Sequence, residues 1–425
     1  MNKVLIISYY FPPMGMGGVQ RTLKFAKYLP QFGWQPVVIT DSPKKYFAVD
    51  ESLLDEALRS NIIIERTGKE KFNPKNIQIK APAEKFRKLR STLSQFIFVP
   101  DSKIGFKKKA LKKIDEIWDS YGGFDLVYST APPYTDHLIG LEVKKRYNIP
   151  LVLDYRDAWV DSPVLNYYPT SYHKLKNIRL EKSVIGGANK VITTNRRVKE
   201  YIIARYGNIE YNDVRIIPHG YDTEDFEIAS REPMEKPKRM RITYSGSFYT
   251  RDPGYYFDAI KLLFDKFPEL KDKIEFCFIG HVTEENRKLI KEYGIADNVV
   301  LTGYLNHIDC VRYIMSSDIL FLLISRGENE DAAMPGKVGE YIGSRKPIIA
   351  CIPEGVTKKY LENYGAITFI PDEDSAEIVK AVLDYYELYK KGELPKPDEA
   401  VVTQFDRKKM TEELATEFNY LLSIE

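Results

Sequence analysis

Short, almost uninterrupted apolar runs recur along the chain, each closed by loop-forming residues and followed by a stretch of helical period. The first series is Val4–Ser8, Val37–Thr40, Ile62–Ile64, Phe124–Ser129, Leu151–Asp154, Val191–Thr194 and Val214–Pro218. A second series follows: Arg241–Ser245, Ile274–Gly280, Val299–Thr302, Ile319–Leu323, Ile348–Ala350 and Ala366–Ile370. Continuous rather than alternating hydrophobicity is the pattern of strands buried on both faces, as in a parallel sheet. Between the runs lie helical segments, among them 134–147, 173–187 and 374–391, an early amphipathic one with Leu23, Phe25, Ala26 and Leu29, and a last amphipathic one at 406–423 with Met410, Leu414, Phe418 and Leu421. Strand–helix alternation throughout predicts an α/β chain of two doubly wound, Rossmann-like parallel-sheet domains. The run from Ala229 to Arg241 carries Pro233, Pro237 and several charges with little apolar content, and reads as the linker. The expected division is 1–228, linker 229–240, 241–397, and a C-terminal segment 398–425. Ligands of such folds sit at the carboxyl ends of strands, and a cleft between two domains is the natural pocket.

The chain's 425 residues, 44% hydrophobic and 29% charged, suffice for two or three domains with real cores. A net charge of +3 gives no global field toward nucleic acid. Cys277, Cys310 and Cys351 are widely spaced and match no metal or disulfide framework, which points to a reducing compartment. The first apolar run is too short for a signal peptide and is interrupted by Pro12-Pro13, and no run approaches the roughly 18 to 20 residues of a membrane helix. The expectation is a cytoplasmic protein, soluble or peripheral at the inner face of the cell membrane.

Two stretches offer chemistry. In Met334-Pro335-Gly336-Lys337-Val338-Gly339-Glu340-Tyr341-Ile342, a proline near the helix start precedes an ammonium and a carboxylate three residues apart on one face. A helix N-terminus with a lysine in its first turn suits an anion, and a carboxylate one turn on suits hydroxyls. A sugar nucleotide presents both, as pyrophosphate and ribose diol. On an ordinary solvated helix, the same spacing would be only an ion pair. The second stretch, Phe11 to Arg21, places Gly15, Gly17 and Gly18 between a strand and a helix, where bare backbone can approach a ligand. A dinucleotide fingerprint would need a third glycine at 20, where Gln20 stands, although Asp41 ends the second strand as a ribose-binding acid would.

Five motifs in order carry a resemblance. They are Tyr9-Tyr10-Phe11-Pro12-Pro13-Met14-Gly15-Met16-Gly17-Gly18-Val19-Gln20-Arg21; Ser129–Pro133 with Asp136–Gly140; Asp154-Tyr155-Arg156-Asp157-Ala158-Trp159; Pro218-His219-Gly220-Tyr221-Asp222 with Tyr244-Ser245-Gly246-Ser247; and Pro335–Tyr341 followed by Lys346–Ala350. Together they resemble the family-four retaining glycosyltransferases, the GT-B group that builds bacterial surface polysaccharides. The resemblance implies two domains facing across a cleft, with the C-terminal helix returning to the N-terminal, acceptor-binding domain. It implies that Gly17 and Gly18 lie against the donor phosphate and the acceptor, and that Glu340 binds the ribose hydroxyls. The family's first glutamate would stand at 332, where Ala332 is found, with Glu330 and Asp331 adjacent. Arg251, Arg326 and Lys337 are the candidate phosphate cations, and Ser247 lies in the turn that leads to Arg251. His137 stands where a family histidine commonly sits near the reacting sugar. Asp157 follows a strand and would either accept from the acceptor or pair with Arg156. His219–Asp222 reads as a turn that positions the linker.

Transfer from a nucleoside-diphosphate sugar needs charge stabilisation of the leaving diphosphate. In this family protein cations supply it, so neither metal nor cofactor is expected. The D-x-D at Asp372–Asp374 reads as a helix cap. Between Lys69 and Lys113, fourteen Lys/Arg stand against three acids, interleaved with Phe86, Leu89, Leu93, Phe96, Ile97, Phe98 and Phe106. Such a stretch suits an anionic membrane surface, equally the solvated face of a core helix. The expected partners are a nucleotide sugar and a lipid-linked or glycan acceptor, without nucleic acid. A sugar-nucleotide epimerase of similar fold, or a non-catalytic partner protein that has kept the fold, are the alternatives.

Overall fold

The computed structural model describes residues 1–15, 17–42, 48–68, 94–161, 168–207, 209–248, 253–324, 330–371 and 373–424. The chain forms two units, Met1–Pro218 with Arg407–Glu425, and His219–Asp406.

The first unit contains seven strands: β1 (Asn2–Ile7), β2 (Trp34–Asp41), β3 (Ile63–Thr67), β4 (Leu126–Ala131), β5 (Leu151–Tyr155), β6 (Lys190–Thr193) and β7 (Val214–Ile216). They lie in the order β3-β2-β1-β4-β5-β6-β7 and every pairing is parallel. The order reverses beside β1, so the loops after β1 and β4 open at a topological switch point. Helices α1 (Gly17–Tyr28), α2 (Ile104–Ile117), α3 (Thr135–Tyr147) and α4 (Ser171–Gly186) are among those that cover the sheet. Each strand read from its apolar run is present. Burial on both faces is the reason in the central strands: Leu5 and Ile6 of β1, which point to opposite faces, are both fully buried, as are Val152 and Leu153 of β5. The final helix, Arg407–Ser423, belongs to this unit. Phe418 packs edge-on against Trp34 and Tyr128, Trp34 Nε1 donates to Asn419 Oδ1 at 2.9 Å, and Lys190 pairs with Glu417 at 2.8 Å.

The second unit has six parallel strands, β8 (Met240–Ser245), β9 (Ile274–Ile279), β10 (Val299–Gly303), β11 (Ile319–Leu323), β12 (Ile348–Cys351) and β13 (Ile367–Phe369). Their order is β10-β9-β8-β11-β12-β13, again with a reversal at the first strand of the set. The helices used below are α5 (Thr223–Arg231), α6 (His307–Ser316), α7 (Lys337–Ser344) and α8 (Ser375–Lys391). The chain passes between units at Pro218 and His219, ahead of the Pro-rich 229–240 stretch, because the residues after Pro218 pack onto the second unit. Asp222 caps α5 by accepting from Glu224 N at 3.1 Å. Tyr221 N donates to Phe405 O at 3.0 Å, and Gly339 of α7 lies flush on Gly220. Cys277 and Cys351 are buried and all three cysteines are free thiols.

Candidate functional site

In the second unit, the carboxyl ends of β8 and β9 run into Gly246 and Gly280, both with positive φ. A Cβ on Gly280 would stand 2.6 Å from Gly246 O, so the two turns nest without side chains. Helix α7 is anchored here by Tyr341, whose hydroxyl accepts from Ser245 N at 2.8 Å and donates to Phe321 O at 3.2 Å. That tie sets the helix start at the sheet's carboxyl edge. Lys337, in the first turn, puts its ammonium 3.8 Å over the Tyr244 ring, and a Cβ on Gly246 would meet it at 3.2 Å. Glu340 lies one turn further, with its side chain 13% exposed and 3.7 Å from His307 Nδ1. No side chain caps α7; in its first turn Val338 N donates to Pro335 O at 3.0 Å and Gly339 N to Gly336 O at 3.1 Å. A cation and a partly exposed carboxylate therefore share the N-terminal end of one helix, whose dipole favours negative charge, an arrangement that can hold an anion next to a diol. Ser247 is half-buried in the same turn, its hydroxyl accepting from His281 N at 3.3 Å. Arg251 and Arg326 lie outside the described residues. Glu330 and Asp331 are half-buried in a single turn that ends at Ala332, which is buried, and precedes α7.

The first unit gathers a different set at the carboxyl ends of β1, β4 and β5. Gly17 and Gly18 are exposed at the start of α1, and Gly17 has open space around it. Arg156 holds this loop: its guanidinium donates to Gly18 O, Pro132 O and, at 3.3 Å, Ala131 O. It makes no ion pair with Asp157 within 4 Å, so the carbonyls take the role that the sequence left open for the aspartate. Asp157 is half-buried, and burial raises its pKa while Arg156 partly offsets the rise. Beneath the loop, Arg21 and Asp154 form a buried forked pair at 2.8 to 3.2 Å. Arg21 also donates to Pro218 O, and Thr130 to Asp154. Burial opposes ionisation of Asp154, but Arg21 outweighs it and lowers the pKa.

His137 is fully buried in α3, with Nδ1 2.8 Å from Ser129 Oγ and its ring against Tyr155. Burial pushes its pKa down to about 3, so the imidazole is neutral. Its Nε2 has no partner among the described residues. The neighbouring Asp136 is equally buried and accepts from Tyr9 N at 2.8 Å, tying α3 to the loop after β1. Asp41, the ribose-acid candidate of a dinucleotide fold, instead accepts from Thr67 Oγ1 at 2.7 Å and Ser42 N at 3.0 Å. Asp374 of the D-x-D caps α8 through Ala376 N and Glu377 N.

Two family models match the chain, Glycosyltransferase Family 4 over residues 16–225 and Glycosyl transferases group 1 over residues 239–387. The chain belongs to glycosyltransferase family 4. A comparison with curated protein sequences finds no match. Among solved structures, this glycosyltransferase is similar to a sucrose-phosphate synthase from Thermosynechococcus elongatus (TM-score 0.65, 15% identity, 100% of both chains). It is similar also to the N-terminal domain of a trehalose-6-phosphate phosphatase from Candida albicans (0.61, 11%, covering 99% of this chain and 97% of that one). A third is the UDP-GlcNAc 2-epimerase of Neisseria meningitidis bound to UDP-GlcNAc (0.57, 12%, 98% and 99%). At these identities the likenesses show the fold alone.

Several residues around the turns of both units were legible in sequence only as members of a strand or motif, not by their contacts. Tyr341 read only as part of an apolar face, yet its hydroxyl fixes α7. Tyr244 and Gly280 lie in runs that read as strands. Arg156 was legible only as a possible partner for Asp157. The relevant partners are backbone carbonyls and N–H groups far away in sequence, and residue spacing does not encode those contacts.

Proposed function

We propose that this glycosyltransferase moves a hexose, with retention, from a nucleoside-diphosphate sugar to a lipid-linked or glycan acceptor in surface-polysaccharide synthesis. The observation that carries the donor half is α7, which sets Lys337 and Glu340 at the carboxyl edge of the second sheet. In this reading Lys337 and the α7 N-terminus meet the diphosphate, Glu340 takes the ribose diol, and Gly246 leaves room for the phosphate. Arg251 and Arg326 are proposed as further phosphate cations, and Ser247 as a further donor-binding residue. Gly17 and Gly18 are proposed to meet the donor phosphate and the acceptor, with Arg156 fixing their loop. Asp157 is the group proposed to accept from the acceptor hydroxyl. His137 is proposed to act near the reacting sugar. No metal or cofactor is called for, because the cations supply the charge stabilisation.

The membrane part of the reading rests on residues 94–113 of the basic stretch, residues 69–93 lying outside the described ones. Phe96, Ile97 and Phe98 are exposed, as are Lys108, Lys109 and Lys112, whereas Phe106 is core. Tyr172 and Leu175 of α4 are exposed too, and His173 beside them packs edge-on against Phe96. Exposed aromatics in a stretch that also carries exposed lysines support a peripheral contact with anionic lipid on the cytoplasmic side. No helix among the described residues is long and apolar enough to cross a membrane.

A thermal-shift screen of UDP-, GDP-, dTDP- and ADP-sugars tests the donor half. A donor at a hundred times its Kd stabilises by about 2.7 kcal/mol. Glu340→Ala should abolish most of that shift while leaving the ligand-free melting temperature unchanged. If no nucleotide sugar moves the transition, the transferase reading loses its footing. Retention is then read from the anomeric configuration of the product by NMR.

A further inference from the structure

His307 opens α6 and is buried between two carboxylates of the second unit. Its Nε2 lies 2.8 Å from Asp225 Oδ2 on α5, and its Nδ1 lies 3.7 Å from Glu340 Oε1 on α7. Asn306 caps the helix by accepting from Asp309 N at 2.9 Å, which fixes the backbone from which the ring projects. Three helices far apart in sequence thus meet at one imidazole. A neutral ring has a single N–H and can serve only one of the two carboxylates, whereas a ring with both protons serves both.

Glu340 needs such a hold. A glutamate has several rotatable bonds, and a carboxylate that is to take two vicinal hydroxyls must present its oxygens in one direction before the ligand arrives. Nδ1 approaches Oε1 only, at 3.7 Å, and the two attract as an ion pair when the ring carries both protons. Oε2 has no hydrogen-bond partner among the described residues, so the carboxylate keeps acceptor capacity for a ligand. The backbone below it is fixed independently, by Gly339 on Gly220 and by the Tyr341 hydroxyl. What remains to be set is the direction of the Glu340 side chain, and His307 is the group that touches it.

We propose that His307 is the positioning residue for Glu340, anchored by Asp225, and that it orients the carboxylate toward the ribose diol of the donor. The proposal rests on the reading of Glu340 as the ribose-binding group. It assigns a role to a histidine and an aspartate that belong to none of the motifs recognised in sequence.

The test compares binding of UDP, GDP and ADP with binding of their 2′,3′-dideoxy counterparts, by calorimetry on the full chain. The preference for the ribose form isolates the diol contact from the diphosphate contact. Glu340→Ala should reduce that preference to near unity for whichever base binds. His307→Ala should reduce it at least fivefold. His307→Gln places its amide near Nε2 and keeps the Asp225 bond, so it should fold like wild type yet lose the ribose preference. His307→Asn places its amide near Nδ1 and should retain at least half of that preference. If Glu340→Ala erases the preference while both the Ala and Gln variants at 307 keep it, His307 merely ties α6 to α5 and the inference is wrong. If Glu340→Ala itself leaves the preference intact, the ribose reading fails instead. Should His307→Ala not fold, the Gln and Asn pair still decides the matter.

Discussion

One added methyl group tests how tightly α7 is seated. A Cβ on residue 339 would lie 2.5 Å from both the carbonyl carbon and oxygen of Gly220, and 2.9 Å from its Cα. The obstacle is backbone, so no rotamer change relieves it. Restoring ordinary contact requires α7 to withdraw by ~1 Å, and overpacking of that kind costs about 1–3 kcal/mol. Alanine returns about 1 kcal/mol through its better helix propensity. The net loss for Gly339→Ala is therefore about 0–2 kcal/mol, a fall of up to ~8 °C at the 2–4 °C per kcal/mol typical of units this size. Glu340 is the next residue and moves with the helix, so nucleoside-diphosphate affinity should drop as well, by ~10-fold or more. Gly336→Ala is the control, because a Cβ there meets nothing within 4 Å and the backbone is already right-handed helical. It should melt at or slightly above wild type and bind normally. Thermal unfolding and titration calorimetry on the three proteins make the comparison. A Gly339→Ala protein that melts no lower than Gly336→Ala and binds nucleotide as wild type does would refute the claim that Gly220 seats α7.

Two further predictions concern buried charge in the first unit. Glu181 is buried, accepts from Tyr206 Oη at 2.7 Å, and has its pKa raised by burial to about 7. Its folded pKa thus exceeds the unfolded value, so the folded chain binds more protons and this stability is lost as pH rises through about 7. Glu181→Gln should accordingly be the more stable protein at pH 8, by about 3 kcal/mol at most, with the difference gone below about pH 4.5. Chemical denaturation at several pH values measures it, and a pH-independent difference would contradict the burial argument. Arg21→Leu leaves the Asp154 carboxylate unpaired in the interior and should cost about 3–5 kcal/mol. Adding Asp154→Leu to it should recover much of that loss, and a double variant no more stable than Arg21→Leu would show that the remaining polar partners, not the orphaned charge, set the cost.

The periodicity of the chain determined the sheets. In central runs such as Leu151–Leu153 and Ile319–Leu323, consecutive residues face opposite sides of the sheet and are all fully buried, so apolar residues follow one another without alternation. Helix spans were equally local: α3 covers Thr135–Tyr147 where 134–147 was expected, opening after Pro132-Pro133 and ending at Asn148, which is left-handed. The motif order was enough to indicate the family, and Asp374 acted as the helix cap that its place in the chain suggested. Composition was less decisive at the junction, where packing of Gly220 and Tyr221 rather than proline content sets the passage between units.

Tertiary structure alone decided the rest. That Arg156 serves carbonyls, that His137 is neutral in the interior, and that Tyr341 pins α7 to β8 all depend on atoms brought together across long stretches of chain. Lys337 and Glu340 were visible in sequence because they lie one turn apart on one helix. His307 and Asp225 were not, because the imidazole joins residues 225, 307 and 340 only after three helices have packed. Periodic burial follows from neighbours in the chain, whereas the direction and charge of a side chain at a site follow from neighbours in space.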